Sequence, residues 1–203
     1  AWLQGTTTTA TATNTNLNQT TAYSLRWTST SFFHSTYFSH STTVNPHQLT
    51  VKIPGDYLVS VHIPYTSATA GASVRAEIRV NGVAVDHGRI ENGYISNSGG
   101  HRDSSLAAKV FLKNLVSDDK IDVTVLRAGT AATVTLSGVA SLSVEKIDGS
   151  KNIFFAKAAQ TIASTNLNGA SASGLSWVSE VQGSAYGHSN SLSPQQITLS
   201  AGI

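Results

Sequence analysis

The stretch VRAEIRVNGVAV, Val74 to Val85, constrains the fold of this chain more than any other. In it Val74, Ala76, Ile78 and Val80 recur at every second position, with Arg75, Glu77 and Arg79 between them. Successive side chains of an extended strand point to opposite faces, so the pattern describes a strand with one apolar and one wet side. Asn81-Gly82 then supplies the residue pair that accepts the positive φ angles of a type I′ turn, and Val83-Ala84-Val85 returns as the partner strand. A turn this tight makes its two strands antiparallel.

Strand-like runs continue on both sides: YLVSVHIPY (Tyr57 to Tyr65), LAAKVFL (Leu106 to Leu112), IDVTVL (Ile121 to Leu126) and TVTLSGVASLSVEKI (Thr133 to Ile147). Polar turns separate them at Val116 to Lys120 and Arg127 to Thr130, and no segment of useful length has helical periodicity. The expected fold class is all-β, an antiparallel two-sheet sandwich. Ser137-Gly138 breaks the last run, where a neighbouring backbone is expected to come close.

The chain also repeats itself. NLNQTTAYSLRW, Asn16 to Trp27, returns as NLNGASASGLSW, Asn166 to Trp177, with six of twelve positions identical at an offset of 150. HSTTVNPHQLTV, His40 to Val51, returns as HSNSLSPQQITL, His188 to Leu199, with five identities at an offset of 148. A two-residue difference between the offsets is a loop-length change between related domains. Residues 1–150 therefore read as one domain, and residues 151–203 as the first strands of a second, incomplete repeat of it. Those strands belong to a longer chain, dock on the first domain, or are completed by another subunit. The first is favoured, because part of a sandwich cannot bury its own apolar face.

Composition excludes several classes. The chain is 40% hydrophobic and 12% charged, too apolar for disorder, and no run reaches the ~18 apolar residues of a membrane-spanning helix. Ala1 to Gly5 lacks the basic start of a secretory signal, a mature or trimmed chain being compatible with that. A net charge of +2 without a polybasic patch gives no nucleic-acid footprint, and zero cysteines exclude disulfides and thiolate chemistry.

The polar motifs carry little chemistry. His101-Arg102-Asp103 resembles a kinase catalytic loop only in those three letters. Asp86, His87, His101 and Asp103 sit in two inter-strand loops without paired metal-ligand spacing, and Asp118, Asp119 and Asp122 read as a solvated turn as well as they read as oxygen ligands. Asn18-Gln19-Thr20 is a formal glycosylation sequon. No catalytic, cofactor or metal residues are assigned, and the chain is expected not to be an enzyme.

IPGDYLVSVHIPY, IRVNG, VFLKNLVSDDKIDVTVL and LSGVASLSVEKI, in that order between Ile53 and Ile147, resemble the C1q/tumour-necrosis-factor type of jelly roll. FFAKAAQTIAS, Phe154 to Ser164, resembles the family's first strand. The resemblance implies a compact domain that forms homotrimers, works by binding and has no common catalytic apparatus. Similar domains occur in bacteriophage head fibres, tail fibres and capsid-decorating proteins, and in bacterial surface proteins. The expected function is that of a non-enzymatic virion structural protein meeting neighbouring capsid or tail proteins or a host glycan or receptor. The alternative is a secreted or cell-surface adhesion module, extracellular in place of the virion surface. In the segment SFFHSTYFSH, Phe32, Phe33 and Tyr37 have no aromatic counterpart in the second copy, which marks them as candidates for a subunit interface or ligand contact.

Overall fold

In a computed structural model of the chain, the described residues are 2–5, 16–91, 94–96, 100–147, 154–158, 177–182, 186–189, 191–192 and 196–199. The chain divides into two compact units, Ala1–Lys146 and Ile147–Ile203.

The first unit contains β1 (Trp2–Gly5), β2 (Tyr23–Ser24), β3 (Ser29–Phe32), β4 (Phe38–His40), β5 (Leu49–Val51), β6 (Gly55–Thr66), β7 (Val74–Val80), β8 (Val83–Glu91), β9 (Asp103–Leu115), β10 (Lys120–Arg127), β11 (Thr135–Leu136) and β12 (Ala140–Ile147). One sheet runs β11-β6-β12-β1-β3 with β9 also paired to β6, and the other runs β4-β5-β10-β7-β8 with β2 also on β10. The chain changes sheet between β1 and β2, β2 and β3, β3 and β4, β5 and β6, β6 and β7, β8 and β9, β9 and β10, and β10 and β11. Two antiparallel sheets woven together in this way form a jelly roll.

Alternation decides what lies between the sheets. Tyr57, Val59, Val61, Ile63 and Tyr65 of β6, with Leu106, Val110 and Leu112 of β9 and Leu142 and Val144 of β12, are buried on one side. Val74, Ala76 and Ile78 of β7, Ile121, Val123 and Val125 of β10, and Leu49 and Val51 of β5 are buried with them in one core cluster. Burying each of the larger side chains is worth roughly 1.5–3 kcal/mol, which lets a chain without disulfides hold two sheets together.

The hairpin forms as the sequence dictates, with Asn81 at φ 52° and Gly82 at φ 78°. Its second strand is longer than Val83 to Val85, because a bulge hides the rest of the alternation. Arg79 lies opposite Ala84 but Glu77 lies opposite Arg89, and His87 takes φ 68° within the inserted residues. Asp86 and His87 thus stand inside β8, not in a loop, and Asp103 is the first residue of β9. Gly138 lies in the break between β11 and β12, beside the Ser137 amide that donates to the Pro64 carbonyl at 3.2 Å, and a Cβ there would meet the Pro64 ring at 3.6 Å and no backbone atom within 4 Å.

The repeated letters of the first motif are mostly those that lie inside. Leu17, Asn18, Leu25 and Trp27 are buried, whereas Thr20 and Thr21, which the second copy changes, are exposed. Asn16 and Asn18 pin this segment to the loop before β11. Asn18 donates Nδ2 to the carbonyls of Thr130 (2.8 Å) and Ala132 (3.1 Å). The Asn16 carboxamide oxygen accepts from the Val134 amide at 2.9 Å, and the Leu17 amide donates to the Val134 carbonyl at 2.7 Å. Tyr23 caps the pin by donating its hydroxyl to the Asn16 carbonyl, and burial raises its pKa above the usual tyrosine range. The sequon at Asn18 has its side-chain nitrogen committed to these bonds and is 3% exposed.

In the second unit, β13 (Phe154–Ala158) pairs antiparallel with β14 (Trp177–Gln182), and β15 (Tyr186–His188) with β16 (Ile197–Leu199).

Candidate functional site

Function in a sandwich is read from its outward faces, and the two faces of the first unit differ in chemistry. On β7, Arg75, Glu77 and Arg79 point away from the core, and Arg89 and Glu91 of β8 join them. Glu77 pairs with Arg75 at 3.6 Å and with Arg79 at 3.3 Å, and Glu91 pairs with Arg75 at 3.3 Å and with Arg89. The Arg89 hydrogen bond, helped by Arg75, holds the Glu91 carboxyl below its usual range against partial desolvation. Asp122, 7% exposed on β10, accepts from the Ser24 hydroxyl at 2.8 Å. This face is crossed by a ladder of ion pairs, in which the Nε groups of Arg75 and Arg79 are buried without a hydrogen-bond partner.

The outward side of β6, β9 and β12 has few charges. Register places Ser60 opposite Lys109, His62 opposite Ala107 and Pro64 opposite Ser105. Ser141 and Ser143 of β12 occupy the same side, with Glu145 beyond them, and His62, Ala107 and Ser105 are exposed. Small side chains on a rigid sheet let another surface approach closely, and little charge has to be desolvated when it does.

The aromatic segment does not stay together on the surface. Phe32, at the end of edge strand β3, is 68% exposed. Phe33 and Tyr37 are partly buried and pack against the core. Tyr37 lies edge-on to His34 at 4.9 Å, and Phe38 lies edge-on to Tyr57 at 5.7 Å, which continues the cluster inward. The Tyr37 carbonyl accepts the Lys52 amide at 2.8 Å, fixing this loop to the chain leaving β5.

His40 joins two segments. Its Nε2 donates to the Pro46 carbonyl at 3.1 Å, and in the neutral ring its Nδ1 accepts from the Thr30 hydroxyl at 3.3 Å. Desolvation lowers its pKa, partly offset by the Pro46 bond. Beside it, Tyr23, Ser24, Arg26, Asn45, Pro46 and His47 line an open groove of about 430 Å³.

The other polar candidates have structural partners. Asp119 accepts from the Val116 amide and from Asn81 Nδ2, at 2.8 and 2.7 Å, tying the β9–β10 turn to the hairpin. The Arg102 carbonyl accepts from the Ser67 amide and the Thr66 hydroxyl, so His101-Arg102-Asp103 secures one end of the β6–β9 pair. Among the described residues, no three His, Asp or Glu side chains converge as a metal-binding group, and no helix is long and apolar enough to cross a membrane. The residues that sequence reasoning missed are Ser60, His62, Pro64, Ser105 and Ala107. Their signal was the polar half of the YLVSVHIPY alternation, which becomes a continuous face only once β9 is placed beside β6.

No protein-family model and no curated protein matches the sequence. Among solved structures, the chain is similar to murine APRIL at pH 8.0, with 14% identity over 72% of this chain and 98% of that one and a TM-score of 0.45. It is also similar to rabbit GITRL, with 13% identity over 56% and 78% of the two chains and a TM-score of 0.33. A third is the Eiger TNF of S. frugiperda, with 18% identity over 57% and 73% and a TM-score of 0.36. The strand order of the first unit, β3-β1-β12-β6-β9 against β4-β5-β10-β7-β8, is that of a jelly roll.

Proposed function

We propose that this chain is a non-enzymatic structural and binding protein that assembles as a homotrimer through the outward face of β6, β9 and β12. The observation that carries the reading is the contrast between the two faces. One is crossed by ion pairs; the other presents Ser60, His62, Pro64, Ser105 and Ala107. A stable interface buries about 1,200–2,000 Å² and keeps charge sparse at its centre, and on the second face Lys109 is the one cation set among Ser60, His62, Pro64, Ser105 and Ala107. Assembly by this route makes or breaks no bond.

Within that reading the place is a virion surface, as a capsid-decorating, head-fibre or tail-fibre component touching neighbouring capsid or tail proteins. Support comes from the sparse charge, the absence of cysteine and the jelly-roll architecture. A second reading, an extracellular adhesion module for glycans or a protein receptor, draws on Phe32 and Tyr94, exposed at 68% and 66%. Aromatic faces of that kind stack on sugars.

Sedimentation of the full chain at low and high salt, with a glycan-binding screen, separates the two. A salt-resistant trimer that ignores sugars supports the virion reading, and a monomer with a defined sugar ligand supports the adhesion module. Ala107→Arg sets a cation beside Lys109 at the proposed contact and is expected to weaken the trimer at least ~10-fold, since like charges meeting at an interface cost several kcal/mol. A trimer of unchanged strength would remove this face from the assembly.

A further inference from the structure

The second unit reproduces the opening of the first at the level of individual backbone partners. In the first unit Phe38 lies opposite Val51, Ser39 opposite Thr50 and His40 opposite Leu49. In the second, Tyr186 lies opposite Leu199, Gly187 opposite Thr198 and His188 opposite Ile197. Each residue of β15 and β16 is its counterpart in β4 and β5 displaced by 148, and no pair is shifted.

The turn between the strands is copied as well. Ser41 Oγ accepts from the Val44 amide at 2.9 Å and lies 3.3 Å from Thr43 Oγ1. Ser189 Oγ accepts from the Leu192 amide at 3.1 Å and lies 3.5 Å from Ser191 Oγ. β13 and β14 pair antiparallel as β1 and β3 do, with Phe154 opposite Gln182 as Trp2 is opposite Phe32, but beyond that first pair the registers differ because the bulge falls at a different step.

What differs is the covering. Leu49 is fully buried, whereas its counterpart Ile197 is 43% exposed. In the first unit β5 is flanked by β10, with Ile121 opposite Leu49, and β1 is flanked by β12. Among the described residues, β13 and β14 form a sheet of two strands, as do β15 and β16. The sequence adds an independent sign. Asn166-Leu167-Asn168 repeats the letters of the pin whose partners in the first unit are the Thr130 and Ala132 carbonyls and the Val134 amide, in the loop between β10 and β11. Residues 147–203 repeat the Asn-Leu-Asn letters and hold no second copy of the Thr130 to Val134 sequence.

We infer that β13 to β16 are the opening strands of a second jelly roll, and that the outer edges of β13 and β16 are acceptor edges for strands of the β12 and β10 type. The occupant these edges fit is a β6-to-β12 segment joined in cis after β16, as β6 follows β5. This inference concerns the second unit alone and stands whether or not the first unit trimerises.

The test extends the full chain. Residues 1–199 are continued with a second copy of Lys52–Ile147, which keeps the 148 offset through the Pro54-Gly55 turn. Amide exchange in β13 and β16 is then expected to slow at least ~100-fold, toward the rates of β1 and β5, and Asn168→Ala is expected to reverse this while leaving the first unit protected. Unchanged exchange in β13 and β16, with the first unit still protected, would overturn the inference. So would protection that appears in the unextended chain only as its concentration rises, since the occupant would then be a second copy.

A second measurement uses the unextended, cysteine-free chain. A Cβ added at Gly187 lies 3.8 Å from Thr198 Cβ, about the spacing a disulfide requires. Gly187→Cys/Thr198→Cys is expected to oxidise as readily as Ser39→Cys/Thr50→Cys. Closure only when the second cysteine is moved one residue along β16 would contradict the copied register.

Discussion

At the scale of the residue, His40 and Asn18 show how much one polar side chain can hold. The neutral His40 ring accepts from Thr30 and donates to Pro46, and its pKa lies below the ordinary 6.5. In the unfolded chain the imidazole takes a proton near its ordinary pKa, but in the folded chain it does so only at lower pH. Below about pH 6.5 the unfolded state therefore binds more protons, and its contribution to stability, full above that pH, is lost as pH falls toward the folded pKa. The urea midpoint should fall between about pH 7.5 and 5.5, and His40→Gln should flatten that slope. Asn18→Ala leaves the Thr130 and Ala132 carbonyls without their donor and should destabilise the first unit by ~2–4 kcal/mol in urea titrations. The sequence repeated Asn18 but could not say why, because its acceptors lie more than a hundred residues away. Phe33 and Tyr37 were visible as aromatics, yet which would reach the core depended on the loop that Lys52 fastens.

Elements were legible in proportion to how regular they are. β6, β7 and the Asn81-Gly82 turn follow directly from alternation and turn chemistry, and so does β10 in its letters, although Asp122 and Thr124 on its polar side are buried too. β8 was not, because three inserted residues put Asp86, His87 and Gly88 out of phase. The short strands β2 to β5 are two to four residues long, too brief for any period to register. Two glycine substitutions separate the causes. Gly82 has φ 78° and open space around it, so Gly82→Ala should cost only the left-handed penalty, ~1–2 kcal/mol. Gly88 is not at positive φ, but a Cβ there would come within 2.7 Å of the Ile78 carbonyl and 2.5 Å of the Val85 side chain. Gly88→Ala should therefore be the more damaging of the two, and thermal midpoints of both variants would show the order.

For the whole molecule, stability rests on the apolar layer between the sheets. The pairs among Arg75, Glu77, Arg79, Arg89 and Glu91 are mostly solvent-accessible, and such pairs contribute ~0–1 kcal/mol each. Raising sodium chloride from about 0.05 to 1 M should thus leave the urea midpoint nearly unchanged, while Leu49→Ala should lower stability by ~2–5 kcal/mol. The arrangement of the chain has a mechanical consequence. β1 runs antiparallel to β12, with Trp2 beside Ser143 and Gly5 beside Ala140, so the first strand begins at the end where the last one leaves. A tensile load applied through those two termini meets that ladder from one end and parts its rungs one at a time, as a zip opens. A module strung in a fibre by these ends yields at low force, unless a neighbour clamps the seam.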